Sequence, residues 1–385
     1  MKTQIYSTVA AIMGLTLFAA ETDTADYRCS EPQKLGPYFY EIAYERYSDK
    51  PVMERLEKAA DALPKGGCSG LRSGNFHGRN MDWTIDNKNY YLVRVSAAEG
   101  RFASLGIAMG YFGDDKALLP WTMMDGVNSK GVVVQVNVVP TGDRGLTVST
   151  NPGAPRLGAM MVVRYLLDRA ESAANAVELL RGVDLFGNGK NEMHWMISDY
   201  KETIVVEVVN NRLQTVKHPI ITNFYLTESP YVKADGAFTQ GSAGIERYER
   251  LRQHLGKIDS AGAMLAAMKE EWYSLAYAPG NELSWWSEFN DINWTDPDTG
   301  RKWHFAYDDG GKENPSGEAF AARMKYIKST QRRYADRRER EQKSGVREDS
   351  SFWHSVESGC YDILYRRLYI RMQENEKVYA FCLGR

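Results

Sequence analysis

The chain has 385 residues, of which 43% are hydrophobic and 25% charged, with a formal net charge of −2. This is enough apolar chain for one large core or two average domains, and the near-balanced charge gives no electrostatic case for nucleic acid or an anionic membrane. The 12% aromatic content suits apolar ligand pockets and aromatic-rich cores alike.

The N-terminus opens Met1-Lys2-Thr3, runs apolar from about Ile5 to Phe18 and closes on Ala19-Ala20. A positive start, a short apolar stretch and small residues at its end describe a signal peptide over residues 1–20, and so export to a periplasm or beyond. The run falls short of the roughly 20 residues that span a bilayer, so no stable membrane anchor is expected. Export makes the cysteines informative, because oxidising compartments favour disulfides. A bond from Cys29 to Cys360 or Cys382 is one expectation; the C-terminal strand register argues against Cys360–Cys382.

Residues 21–67 read as a pro-segment. Val52, Leu56, Ala59, Ala60 and Leu63 share one helical face between Pro51 and Pro64. That short amphipathic helix either covers a site until maturation or is simply the first helix of the domain.

Then comes Lys65-Gly66-Gly67-Cys68-Ser69-Gly70, followed by Gly78-Arg79-Asn80-Met81-Asp82-Trp83. A thiol attacks as thiolate, and a nearby guanidinium such as Arg79 favours that form. Cleavage of the Gly67–Cys68 bond would give Cys68 a free α-amine, whose pKa of about 7.7–8.0 lets it take the thiol proton near neutral pH. Asp82 would orient that amine. The bland reading of Cys68 alone is a core or disulfide cysteine.

Downstream, Tyr90–Val95 and Gly131–Val139 read as strands, with a turn over Asp125–Gly131 between them. Leu157 to Leu180 reads as two helices. Strands return at His194–Ser198 and Thr203–Val209, and helices at Ile245–Leu255 and Ala261–Met268. Residues 280–350 look like an insertion; in it Arg332–Glu341 interleaves acids with arginines, as a solvated helix does. The end reads as a three-strand meander with turns at Ser358-Gly359 and Glu374–Glu376. Strands, paired helices and more strands make the chain α+β.

Cys68 and the Gly78-Arg79-Asn80-x-Asp82 block resemble the choloylglycine hydrolase family of N-terminal-nucleophile (Ntn) amidases, which includes bile salt hydrolases and penicillin V acylases. The resemblance implies a four-layer αββα sandwich of two stacked antiparallel sheets over residues 68–385. It implies catalytic roles for Cys68, Arg79 and Asp82, for Asn137 and Asn223 as oxyanion donors, and for Arg247, with Arg250 as its competitor. It also implies a small-molecule amide substrate (a conjugated bile salt, penicillin V or an N-acyl amide), no cofactor, and a homo-oligomer such as a tetramer. The six histidines show no paired metal-ligand spacing, so no metal is expected. The reading from another class is an exported, non-catalytic ligand-binding protein on the same fold.

Overall fold

The computed structural model describes residues 21–53, 66–83, 89–110, 114–139, 149–186, 192–209, 211–227, 244–271, 292–305, 318–344, 354–372 and 377–383. The signal peptide, nearly all of the helix expected before Cys68, and the turn at 374–376 lie outside them.

Two sheets organise the chain, their strands numbered here in chain order. The larger runs β1 (Glu21–Asp23), β2 (Tyr27–Ser30), β4 (Phe39–Tyr47), β7 (Tyr90–Val95), β8 (Ser104–Met109), β9 (Met123–Asn128), β10 (Val133–Val139), β13 (Glu192–Ser198), β14 (Thr203–Val209) and β15 (Arg212–Lys217), with β3 (Gln33–Gly36) also on β4. The smaller runs β16 (Ile220–Ile221), β5 (Gly66–Ser73), β6 (Phe76–Trp83), β19 (His354–Asp362), β20 (Arg367–Met372) and β21 (Val378–Cys382). Short pairs β11 (Arg156–Gly158) with β12 (Asp184–Phe186), and β17 (Ile292–Thr295) with β18 (Lys302–Phe305), stand apart.

The sheets stack face to face, and helices cover the outer faces. Helices α1 (Val162–Arg169) and α2 (Ala173–Arg181) pack on the larger sheet, where Leu166 and Leu167 join the main core. Helices α3 (Ile245–Arg252) and α4 (Ala261–Glu270) pack under the smaller sheet, burying Leu251, Met264 and Met268 with Leu71 and Cys360. This is the αββα order of layers. Helix α5 (Glu318–Ser344) carries the charged run within 280–350.

β10 shows why the layers form. Its valines make a nearly continuous apolar run, as a strand covered on both faces requires. Period two sends Gln135 and Asn137 to the other face, where Gln135 bonds a side chain of the smaller sheet and Asn137 the backbone of Thr222, just beyond β16.

The segment 21–47 is built into the larger sheet. β4 pairs antiparallel with β2 and parallel with β7, and it buries Phe39, Ile42 and Tyr44 completely.

Three local expectations are corrected. Ser358-Gly359 is no turn: β19 runs straight through it, with Gly359 opposite Arg79, and the chain turns instead after Asp362, where Arg366 takes a positive φ of 51°. Asp125 is no turn residue either but lies inside β9, opposite Gln135. Cys29, Cys360 and Cys382 are all free thiols, so the expected Cys29 bridge is absent.

Candidate active site

The hairpin of β5 and β6 builds the centre. Gly74, at φ 56°, makes the two-residue turn that returns the chain so that Gly70 faces Arg79 and Cys68 faces Met81. Cys68 and Arg79, eleven positions apart, thereby become diagonal neighbours on one face. Arg79 Nη2 sits 3.6 Å from Cys68 Sγ and donates to the Val136 carbonyl at 3.3 Å. Across β6, Gly78 turns to the helical side, where any Cβ would run into Met264 and Met268 of α4.

The backbone of Cys68 is held as closely as its side chain. Its N–H donates to Asn223 Oδ1 at 3.1 Å, and its carbonyl accepts from Arg247 Nη1 at 2.7 Å. Arg247 also donates from Nη2 to Asn223 Oδ1 at 2.6 Å and lies 3.4 Å from Asp82 Oδ2. Asn223 Nδ2 donates to Val138 at 2.6 Å, which fixes its oxygen toward Cys68. Gly244 opens α3 at φ 82° and sets Arg247 one turn in. Arg250, the competitor for this role, points elsewhere and pairs with Glu271 at 2.8 Å.

Asn137 is tied into a chain of carboxamides. Its Nδ2 donates to the Thr222 carbonyl at 2.9 Å, and its Oδ1 accepts from Gln135 Nε2 at 2.8 Å. Gln135 Oε1 meets His77 Nε2 at 2.7 Å, and His77 Nδ1 meets Ser198 Oγ at 2.8 Å. One tautomer satisfies the chain: His77 donates from Nε2 and accepts at Nδ1. Burial holds that imidazole neutral, pushing its pKa down to about 3. His194 takes the Thr222 carbonyl from the other side, at 2.9 Å.

Cys68, Arg79, Asp82, Asn223 and Arg247 are therefore all buried and linked around Cys68, and buried Asn137 adjoins them through the Thr222 carbonyl, next in sequence to Asn223. Sequence reasoning missed Asp125, Glu357, Tyr361, Gln135 and His77. Asp125 Oδ2 is 2.5 Å from Arg79 Nη1, Glu357 Oε1 is 3.3 Å from the same nitrogen, and the Tyr361 hydroxyl donates to Asp125 Oδ1. A signal existed for part of this: Gln135 and Asn137 interrupt a valine run at every second position, which marks a polar inward face.

Electrostatically the thiol sits between opposing effects. Burial pushes the Cys68 pKa up and the Asp82 charge adds to it; Arg79, a hydrogen bond from the Asp82 backbone and Arg247 pull it down, and burial prevails. Burial works against the Arg79 charge, but it is outweighed, with the Asp125 carboxylate the largest opposing influence, and the guanidinium stays protonated. Among the described residues no cluster of His, Cys, Asp and Glu has the makings of a metal site.

The sequence matches the family model described as acyl-coenzyme A:6-aminopenicillanic acid acyl-transferase over residues 71–280, more than half the chain. The chain belongs to that family. Within the acyl-transferase family match lie Arg79, Asp82, Asn137, Asn223 and Arg247; Cys68 stands three positions before its first residue. No curated protein matches the sequence. Among solved structures the chain is similar to a mutant conjugated bile acid hydrolase from Clostridium perfringens, at 15% identity over 83% of this chain and 92% of that one, with a TM-score of 0.41. It is also similar to penicillin V acylase from Agrobacterium tumefaciens, at 13% identity over 82% and 86% of the two chains, with the same TM-score of 0.41.

Proposed function

We propose that this protein is a cysteine amidohydrolase that cleaves linear C–N amide bonds through an acyl-enzyme on Cys68, after the Gly67–Cys68 bond has been cut. The observation that carries the reading is the hydrogen bond from Cys68 N–H to Asn223 Oδ1 at 3.1 Å. The atom that becomes the α-amine already has a buried acceptor, and Arg247 clamps the adjoining carbonyl.

In maturation the Cys68 sulfur attacks the Gly67 carbonyl, and the peptide nitrogen leaves as the α-amine. Water then releases the upstream carboxylate and frees the thiol. In turnover the amine accepts the thiol proton, and the thiolate beside Arg79 attacks the substrate carbonyl. The second N–H of Asn137 and nearby backbone amides stabilise the oxyanion. Asn223, expected as an oxyanion donor, instead turns its oxygen to the Cys68 nitrogen and orients the amine, the task expected of Asp82, which pairs with Arg247. The leaving amine takes up the proton, and water completes hydrolysis.

Conjugated bile salts, penicillin V and N-acyl amides are the substrate classes to test. The family's description favours a second outcome at the last step, in which an amine takes the acyl group in place of water. Residues 1–20 direct export in this reading, and 21–67 form the segment upstream of the cut.

The test is intact mass and N-terminal sequencing of the purified protein, followed by turnover on that panel with and without an added amine. A chain beginning at Cys68, and loss of both cutting and turnover in Cys68→Ala, are expected. Undiminished hydrolysis by Cys68→Ala would refute the mechanism. An uncut active chain would refute the maturation step.

A further inference from the structure

Glu357 is a buried acid that the mechanism above leaves without a task. It lies on β19 opposite Met81, which in turn lies opposite Cys68, so all three side chains share the face between the sheets. Glu357 is 1% exposed, and its Oε2 has no hydrogen-bond partner among the described residues. Its Oε1 reaches Arg79 Nη1 at 3.3 Å, while the other terminal nitrogen of the same guanidinium stands 3.6 Å from Cys68 Sγ.

The charges around it can be paired off. Arg79 has Asp125 at 2.5 Å, and Asp125 also accepts from Tyr361. Arg247 has Asp82 at 3.4 Å. His77 is neutral, and the residues that β10 and β20 present nearby (Gln135, Asn137 and Met372) carry no charge. Glu357 is therefore a third carboxyl set against two guanidinium groups among the described residues, and in the mature chain the proton passing from the Cys68 thiol to its own amine leaves that net count unchanged. An uncompensated anion in such a place is strongly disfavoured, so at neutral pH the proton stays on Glu357. Burial, and then the charge of Asp125, raise its pKa well above the ordinary range.

We propose that Glu357 rests as a neutral acid beside Arg79 and gives up its proton only over the pH range in which Cys68 ionises, acting as a positioning residue that leaves the guanidinium to the thiolate until then; ionised Glu357 and ionised Cys68 compete for the same cation. The proposal rests on Cys68 being the nucleophile. It implies negative coupling: raising the pH to ionise one group makes the other harder to ionise.

The experiment uses mature enzyme with Cys68 verified as its first residue. Iodoacetamide alkylation of Cys68, followed by peptide mass against pH, is compared in the wild type, Glu357→Gln and Glu357→Met. Both variants remove the competing ionisation, so the midpoint for Cys68 should fall by about one pH unit in each. A role confined to packing would leave that midpoint unmoved. The Met variant, similar in volume and apolar, keeps the test standing if the Gln variant fails to fold. An unmoved or raised midpoint overturns the proposal. Hydrolysis of the best panel substrate is measured on the same samples. Hydrolysis lost on alkylation with an unmoved midpoint overturns the role of Glu357 alone. Hydrolysis that survives complete alkylation overturns the nucleophile reading, and this proposal with it.

Discussion

Gly70→Ala is a one-methyl change that reaches the carboxamide chain without touching a charged group. An alanine Cβ there would lie 2.5 Å from both Nε2 and Oε1 of Gln135. The strand cannot retreat easily, because Gly70 is paired to Arg79 on one side and Ile221 on the other. Gln135 must move, yet its carboxamide is bonded at both ends, to His77 at 2.7 Å and to Asn137 at 2.8 Å. Losing two such bonds costs about 1 kcal/mol each, and overpacking adds about 1–3 kcal/mol. Replacing a strand glycine returns about 0.5–1 kcal/mol, so the net loss is about 2–4.5 kcal/mol. Chemical denaturation of Gly70→Ala should show it. Turnover of the mature enzyme should fall at least tenfold with little change in KM, since Asn137 loses the partner that orients it. In a Gln135→Ala background the same Gly70→Ala change should cost under about 1 kcal/mol, because the clash is gone. An equal cost in both backgrounds would refute the steric reasoning, and full activity would refute the orienting role.

Three further outcomes are expected. Arg247→Lys keeps the charge but cannot reach Cys68, Asn223 and Asp82 together, so the rate of Gly67–Cys68 cleavage should fall about 100-fold by mass spectrometry, whereas Arg250→Lys should cut at nearly the wild-type rate. After cutting, the segment containing β4 should stay bound, since removing it would expose Phe39, Ile42 and Tyr44 and leave β7 an open edge; size exclusion of the mature protein should show both pieces co-eluting, and a lone 68–385 chain would contradict this. Burial of Glu271 pushes its pKa up to about 7 against the opposing pull of Arg250. Between the ordinary carboxylate value and about 7 the folded state then holds a proton that the unfolded state has released, so this group's contribution to stability falls as pH rises through that window. Melting curves of Glu271→Gln from pH 4.5 to 7 should show a smaller decline than the wild type.

Much of the architecture is written in local residue patterns. The strands at Tyr90–Val95, Gly131–Val139 and Thr203–Val209 are set by runs of β-branched and aromatic residues, and the apolar spacing of Val162–Leu167 by period 3.6. Cys68, Arg79 and Asp82 are legible because a two-residue turn holds them within one hairpin, so local spacing already determines their geometry. Asn137, Asn223 and Arg247 come from resemblance, and the fold brings them to the same thiol from β10, from the turn after β16 and from α3.

What only the tertiary structure decided is how the interior charges are shared. Asp125 sits in an Asp-Gly pair that local chemistry reads as a turn, and its place in β9 follows from pairing with β8 and β10. Glu357 lies 278 positions from Arg79 in sequence, in a strand whose register placed no turn where Ser358-Gly359 invited one. No local pattern announces that an acid at 357 and an aspartate at 125 meet one guanidinium. That meeting depends on two sheets stacking, and stacking is a sum over the whole apolar core rather than a property of any short stretch.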